Sequence, residues 1–399
     1  MTTLTVVIPA YNEERGIEAI ARRVLAIEPD LKKVGVDNLE LIVVDDGSRD
    51  LTAEIAECIE GVRLIRHRKN RGYGGALKTG FVNAKGELIG FLDADGTYPP
   101  EYFPRLCEEA LKGVDMVIGS RMAGEKSQMP PTRRIGNFFF ANLLTLVGRQ
   151  RVTDSASGQR VFRREVLERM LPLPNGLNLT PVQSARAIHE GMKIVEVPIP
   201  YSERVGRSKL SIFRDGRIFL QSIIWTVMMY NPVRILGLIG MVGVMLAMIA
   251  VIALVAARLS GITTLGPWGV AGLFLGAISG VVGISLYALG VTFNRLVGMF
   301  NRRPIPRQGM FGGLIFRSSP DQHFGWMGLL SFATGWVVCL VSLALNFGRG
   351  DSARLWLYLL GSTMMILIGV QLFISWILVR VLDEVSQRDE LTKQDLSVD

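Results

Sequence analysis

The 399-residue chain is 49% hydrophobic and 20% charged, with a formal net charge of +8. Its three cysteines (Cys58, Cys107, Cys339) and three histidines (His67, His189, His323) are scattered without metal-ligand or CxxC spacing, which excludes a disulfide framework and a His/Cys zinc centre. No Lys/Arg run interleaves with aromatics, so nucleic acid is excluded as a partner, and the positive balance points to a membrane surface or to phosphate.

The opening MTTLTVVIPAYNEE has no basic stretch leading into an apolar one, so no cleaved signal is expected and the first domain is expected in the cytoplasm. LTVVIPAYNEERGIEAIARRVLAI reads as a β-branched strand, a turn at Pro9 and a helix. LELIVVDDGSRDLTAEIAECIE repeats the scheme with an acidic turn. VRLIRHRKNRGYGGALKTGFVNA and ELIGFLDADGTYPPEYFPRLCEEAL follow it again, and VDMVIGSR adds a further strand. Alternating strand and helix predicts a Rossmann-like α/β domain with a mostly parallel sheet and helices on both faces. Ligands of such sheets bind beyond the carboxyl ends of the strands, where the unusual residues of this chain collect.

In VIPAYNEE, Tyr11 and Glu13 suit packing on a base and bonding a ribose; equally, Asn12 suits a helix cap. Asp46 in VVDDGSRD suits a base or ribose, although DGS is also a common turn. Gly72, Gly74 and Gly75 precede a helix but match neither GxGxxG nor GxxxxGK[ST], which leaves a phosphate cradle and a tight packing turn both open. LDADG is more specific. Asp93 and Asp95 stand two residues apart, so an extended backbone would direct both carboxylates to one side. Like charges that close call for a cation, and a hard divalent ion takes a few carboxylate oxygens plus substrate phosphates. In TDSASGQRVFRR, Asp154 is a candidate base or orienting group beside Arg160, Arg163 and Arg164, with a helix cap as the plainer reading.

After 204–209 (RVGRSK), the stretch 211–234 places Ile212, Phe213, Ile218, Phe219, Ile223 and Ile224 at helical spacing beside Arg214 and Arg217, as an amphipathic helix at a lipid surface would. Beyond Arg234, charge-free segments at 235–257, 267–294, 324–347 and 355–379 are each long enough to cross a bilayer. Arg295, Arg302, Arg303, Arg307 and Arg317 lie between the second and third. The positive-inside rule therefore predicts both termini and that loop in the cytoplasm. The expected organisation is a soluble domain (1–210), interfacial helices (211–234), a four-helix all-α membrane domain (235–380) and a cytosolic tail (381–399). Small residues in the second and third spans allow helix pairing within or between chains, so a homo-oligomer is possible on this reading.

With VIPAYNEE, VVDDGSRD, NRGYGGA, DADGTYPPE, IGSR, DSASGQRVFRR and ERVGRSKLS in this order over residues 4–230, the sequence resembles family 2 glycosyltransferases of the GT-A fold. It is most similar to the polyprenyl-phosphate branch that includes dolichol-phosphate mannose synthases. The resemblance implies a GT-A catalytic domain that transfers a sugar with inversion from a GDP- or UDP-linked donor to a polyprenyl phosphate, with Mg2+ or Mn2+, at the cytosolic face of an inner or plasma membrane. It implies that Pro9, Tyr11, Glu13, Val44 and Asp46 hold the nucleoside, and that Asp93, Ala94 and Asp95 lie at the diphosphate, with Asp95 the direct metal ligand and Asp93 beside it. Thr97 joins the donor site, where mannose synthases usually carry Gln, and Gln159 stands where their SGFR-like segment has Phe. Arg121, Arg160, Arg163, Arg204, Arg207, Ser208 and Lys209 are implied contacts to phosphates of donor or lipid, and Arg160 joins Asp93, Asp95 and Asp154 in the catalytic set. Two rival enzymes act on a glycolipid or on a growing polysaccharide; the QxxRW motif of processive synthases is absent. A non-catalytic scaffold or a flippase is disfavoured by the intact DxD and by spans without charge.

Overall fold

The computed structural model describes residues 1–122, 129–147, 150–202, 212–262, 264–300, 323–346 and 352–396. The chain divides by internal packing into Met1–Val227 and Met228–Asp399.

The first unit is an α/β domain. Its strands are β1 (Thr3–Ala10), β2 (Asn38–Asp45), β3 (Val62–Arg66), β4 (Leu88–Phe91), β5 (Met116–Ser120), β6 (Arg160–Arg163) and β7 (Ile194–Pro198). They form one seven-stranded sheet in the order β3-β2-β1-β4-β6-β5-β7. All neighbours run parallel except β6, which is antiparallel to both β4 and β5. The helices are α1 (Ile17–Ala26), α2 (Glu28–Lys33), α3 (Thr52–Glu57), α4 (Tyr73–Asn83), α5 (Phe103–Leu111), α6 (Pro131–Val147), α7 (Leu167–Met170), α8 (Leu179–His189) and α9 (Ile212–Tyr230).

The central strands read TLTVVIPA and NLELIVVD because both faces are covered, as parallel sheets require. On one face Leu4, Val6 and Ile8 pack with Ile17, Ile20 and Val24 of α1 and Phe103 and Leu106 of α5. On the other, Phe81 of α4 meets Phe91 and Phe162 at ring-centroid separations of 5.6 and 5.2 Å. The helix-cap alternative for the Asp154 segment is overturned. The VFRR stretch lies in and just after strand β6, and the next α-helix, α7, begins only at Leu167.

The second unit contains four helices long and apolar enough to cross a membrane. They are α10 (Pro232–Leu259), α11 (Pro267–Phe300), α12 (Phe324–Asn346) and α13 (Ser352–Leu396). Pro232 stands at the first turn of α10, where its missing N–H costs nothing. α10 and α11 approach closely through glycine: a Cβ at Gly240 would lie 2.4 Å from the Gly283 carbonyl oxygen. α12 and α13 meet the same way at Gly328 and Gly369. The arginine-rich stretch at 301–322 lies outside the described residues.

Candidate active site

A cavity of about 470 Å³ opens at the carboxyl ends of β1, β2 and β4. Pro9, Ala10, Tyr11 and Glu13 line it from the β1–α1 turn, Asp46 from the end of β2, and Asp93, Ala94 and Asp95 from the end of β4. Asn12 adopts a left-handed conformation (φ 53°). Its N–H donates to Ser48 Oγ at 2.9 Å and its Oδ1 accepts from the Arg49 N–H at 2.9 Å. Asn12 thus ties two loops together and does not cap α1, whose N-cap position is Gly16.

Asp46 is almost wholly buried and heavily bonded. Its carboxylate accepts from the N–H groups of Arg71 and Gly72, both at 2.8 Å, and lies 2.7 Å from His67 Nδ1. It therefore holds the start of α4 as well as forming the cavity wall. The glycines there resolve towards the packing turn. A Cβ at Gly74 would stand 2.2 Å from the Pro174 carbonyl oxygen, and the Gly75 N–H donates to Asn175.

The two aspartates of LDADG are not on one extended stretch, because the chain turns over Ala94–Asp95. The turn still delivers both to the same cavity. The Tyr73 hydroxyl donates to Asp93 Oδ1 at 2.8 Å. Burial, and then the Asp93 charge, push the Tyr73 phenol well above its ordinary value, so it stays a neutral donor. Behind Asp93 lies Gly158, where an added Cβ would come 2.8 Å from Asp93 Oδ2. Asp95 Oδ1 accepts from the Thr97 hydroxyl at 2.6 Å and the Thr97 N–H at 3.1 Å. Thr97, 1% exposed, is turned to Asp95 and is not among the lining residues.

Arg121 enters from the end of β5. Its guanidinium makes a two-pronged pair with Asp154, Nε–Oδ2 and Nη2–Oδ1 both 2.7 Å, and its own N–H donates to the same carboxylate at 3.0 Å. The guanidinium also lies 5.7 and 5.5 Å from the ring centres of Tyr98 and Tyr201. Burial by itself would raise the Asp154 carboxyl, but the Arg121 charge and hydrogen bonds outweigh it and hold it below the ordinary value. Glu196 of β7 accepts from the N–H groups of Thr153 and Asp154, both at 2.8 Å, and so fixes the loop carrying the pair.

Other residues expected at the site lie elsewhere. Val44 is fully buried in β2, beside Pro9 in register. Arg160 is fully buried and donates to the Ser157 and Ser155 carbonyls at 3.0 and 2.8 Å, so it braces the loop and presents no fork to the cavity. Burial pulls its guanidinium down to about 10. Arg163 pairs in register with Leu88, at the end of β4 remote from Asp93, because antiparallel β6 runs away from the site. It bonds Glu165 there at 3.0 Å. Arg204, Arg207, Ser208 and Lys209 lie outside the described residues. The expectation overlooked Tyr73, Tyr98, Tyr201, Glu196 and Arg133. Of these only Tyr73, inside the glycine run, carried a local signal.

Among the described residues no group of three or more His, Cys, Asp or Glu could hold a metal ion. A cation here would take at most Asp93 and Asp95 from the described chain and complete its shell with phosphate oxygens and water. That all-oxygen, two-carboxylate donor set fits Mg2+ or Mn2+ and does not suit zinc.

Residues 5–171 match the family model described as glycosyl transferase family 2, and residues 232–393 match one described as a domain of unknown function. The chain is 35% identical over 221 residues to a dolichyl-phosphate hexose transferase of Haloferax volcanii, an alignment covering 55% of this chain and 92% of that protein. It is 31% identical over 242 residues to an undecaprenyl-phosphate 4-deoxy-4-formamido-L-arabinose transferase of Aeromonas hydrophila, covering 59% and 71%. It is 32% identical over 224 residues to a dolichyl-phosphate beta-glucosyltransferase of Trichomonas vaginalis, covering 52% and 66%. The chain is a glycosyltransferase: it belongs to family 2, in the branch of the polyprenyl-phosphate sugar transferases.

Proposed function

We propose that the enzyme transfers a hexose from a nucleotide sugar to a polyprenyl phosphate, with inversion at the anomeric carbon, on the cytosolic face of the membrane. The observation that carries this reading is the single cavity that gathers Asp93 and Asp95 with an Arg121 guanidinium already committed to Asp154. The relatives named above act, by their names, on dolichyl or undecaprenyl phosphate. An acceptor phosphate oxygen is ionised near neutral pH and attacks the anomeric carbon while the bond to the nucleoside diphosphate breaks. No proton need leave the nucleophile, so no general base is required.

This agrees with the state of Asp154. A buried carboxylate with a lowered pKa, engaged by three donors, is a poor base and a good anchor. Its role is to fix Arg121, whose charge faces the cavity and suits a phosphate of donor or acceptor. Tyr11 and Glu13 are assigned to the nucleoside; Asp46 supports that wall through Arg71 and Gly72. Asp93 and Asp95 are assigned to a divalent cation at the diphosphate, held in place by Tyr73 and Thr97. When bound, that cation would stabilise charge on the leaving diphosphate as a Lewis acid.

The test is a panel of GDP- and UDP-linked sugars with the full chain in vesicles containing polyprenyl phosphate, with and without EDTA. Label appearing in extractable lipid from one donor, and lost with EDTA, is the expected result. Absence of transfer from every donor refutes the reading. Label in a glycolipid or a polymer, and none in lipid phosphate, favours the rival acceptors.

A further inference from the structure

Asp46, at the end of β2, lines the cavity and is only 2% exposed. A carboxylate offers about four acceptor positions, two on each oxygen. Oδ1 takes the Arg71 N–H at 2.8 Å and His67 Nδ1 at 2.7 Å, so both of its positions are filled. Among the described residues, Oδ2 takes only the Gly72 N–H, at 2.8 Å. The carboxylate is left with one acceptor position for a ligand.

His67 is what limits that count. The Arg71 and Gly72 donors are backbone groups of the turn into α4, which any side chains there would supply. The imidazole is a choice of side chain. A carboxylate oxygen only accepts, so Nδ1 is the donor in this contact. The opposite ring nitrogen, Nε2, lies 2.9 Å from Thr79 Oγ1 on α4, and the His67 side chain is itself buried. Held at both ends, the ring stays on Oδ1. Asn70 lines the same wall, and its Oδ1 accepts from the Gly72 N–H at 3.1 Å, which leaves the amide NH2 as a donor beside Asp46.

We propose that His67 is a positioning residue that sets the base preference of the donor site. With Oδ1 taken, Asp46 accepts one N–H, which matches uracil and rejects guanine. The pairing edge of uracil has a single donor, N3–H, between two carbonyl oxygens, and the Asn70 amide can donate to one of these. Guanine presents two adjacent donors, N1–H and the 2-amino group, which a carboxylate meets only with an acceptor for each. With one acceptor, the amino group enters the site unpaired, and an unpaired buried donor is costly. Adenine and cytosine also bring an amino group with two N–H bonds. Glu13, the other carboxylate assigned to the nucleoside, comes from the β1–α1 turn and meets the ribose. This deepens the reading of the cavity as a nucleotide-sugar site, on which it rests, by naming uridine as the nucleoside.

The test titrates UDP, GDP and IDP into the detergent-solubilised full chain with Mn2+ and reads binding by calorimetry. IDP is GDP without its 2-amino group. UDP should bind about tenfold or more tighter than GDP, and IDP about fivefold tighter than GDP. GDP binding as tightly as UDP, or more tightly than IDP, overturns the inference while leaving the nucleotide-sugar reading in place. Binding of none of the three removes both. His67→Phe keeps a buried ring without an N–H for Asp46, and frees a second acceptor. It should narrow the preference for UDP over GDP by about fivefold, and His67→Gln, which keeps a donor, should restore it. Thr79→Val removes only the partner of Nε2, should narrow the preference by about twofold, and serves where the Phe variant does not fold. An unchanged preference in these variants takes His67 out of base selection.

Discussion

The α/β unit and the membrane unit treat polarity in opposite ways. In the first, charges go inside: Asp46, Asp154 and Arg160 are at most 2% exposed, and each is met by hydrogen-bond partners. In the second, the span at 235–257 holds no charge, and close contact depends on glycines such as Gly240 and Gly283. Solvent explains the contrast. In water, burial of the apolar sheet faces drives folding strongly enough to carry buried ion pairs that are costly to desolvate. In lipid that drive vanishes between helices, so backbones must approach closely and gain from packing itself.

The sharpest way to break this comparison is to strand a charge in the first unit. Asp154→Ala leaves the Arg121 guanidinium buried without its partner and should destabilise the α/β unit by about 3–5 kcal/mol, read as a lower unfolding temperature of the detergent-solubilised protein. Because the folded-state pKa of Asp154 is lowered, the pair's stabilisation is fully present above the ordinary carboxylate value near pH ~4 and is lost as pH falls through the lower folded value. Asp154→Asn should therefore flatten the acid limb of the stability curve; an unchanged limb would mean that another group governs it.

Asp95→Asn should cut sugar transfer by about 10²–10³-fold, the size seen when a group stabilising developing charge is removed, with little effect on unfolding. Measured transfer within a few-fold of the parent protein would take Asp95 out of the reaction. In the membrane unit, Gly283→Leu forces α10 and α11 apart and should cost about 1–3 kcal/mol, by the usual penalty of overpacking. Its unfolding in detergent should shift while the α/β transition does not; a shared shift would mean that the two units unfold together. The smallest expected effect is that of Thr97→Val, which keeps the backbone N–H bond to Asp95 and loses only the hydroxyl. About 1 kcal/mol of positioning should disappear, seen as a several-fold fall in kcat with little change in KM for the donor.

How much of this could be read without coordinates differs by residue. The LDADG pair, the Pro9 turn and Asp46 were legible because strand, turn and helix patterns are local and their ends mark one edge of a parallel sheet. The apolar spans were legible for the same reason: length and lack of charge are properties of a stretch, whatever surrounds it. The positions of Arg160 and Arg163 were not legible, because nothing local shows that β6 enters antiparallel, which turns one arginine inward and carries the other away. The partnership of Arg121 with Asp154 joins residues 33 positions apart, and that of Asp93 with Tyr73 joins residues 20 apart. The sequence alone thus determined which residue types stand at the strand ends and which segments enter lipid, since both follow from periodicity and composition. Only the tertiary structure decided which carboxylates face the cavity and which are anchors, because a side chain's role depends on partners that chain order does not bring near.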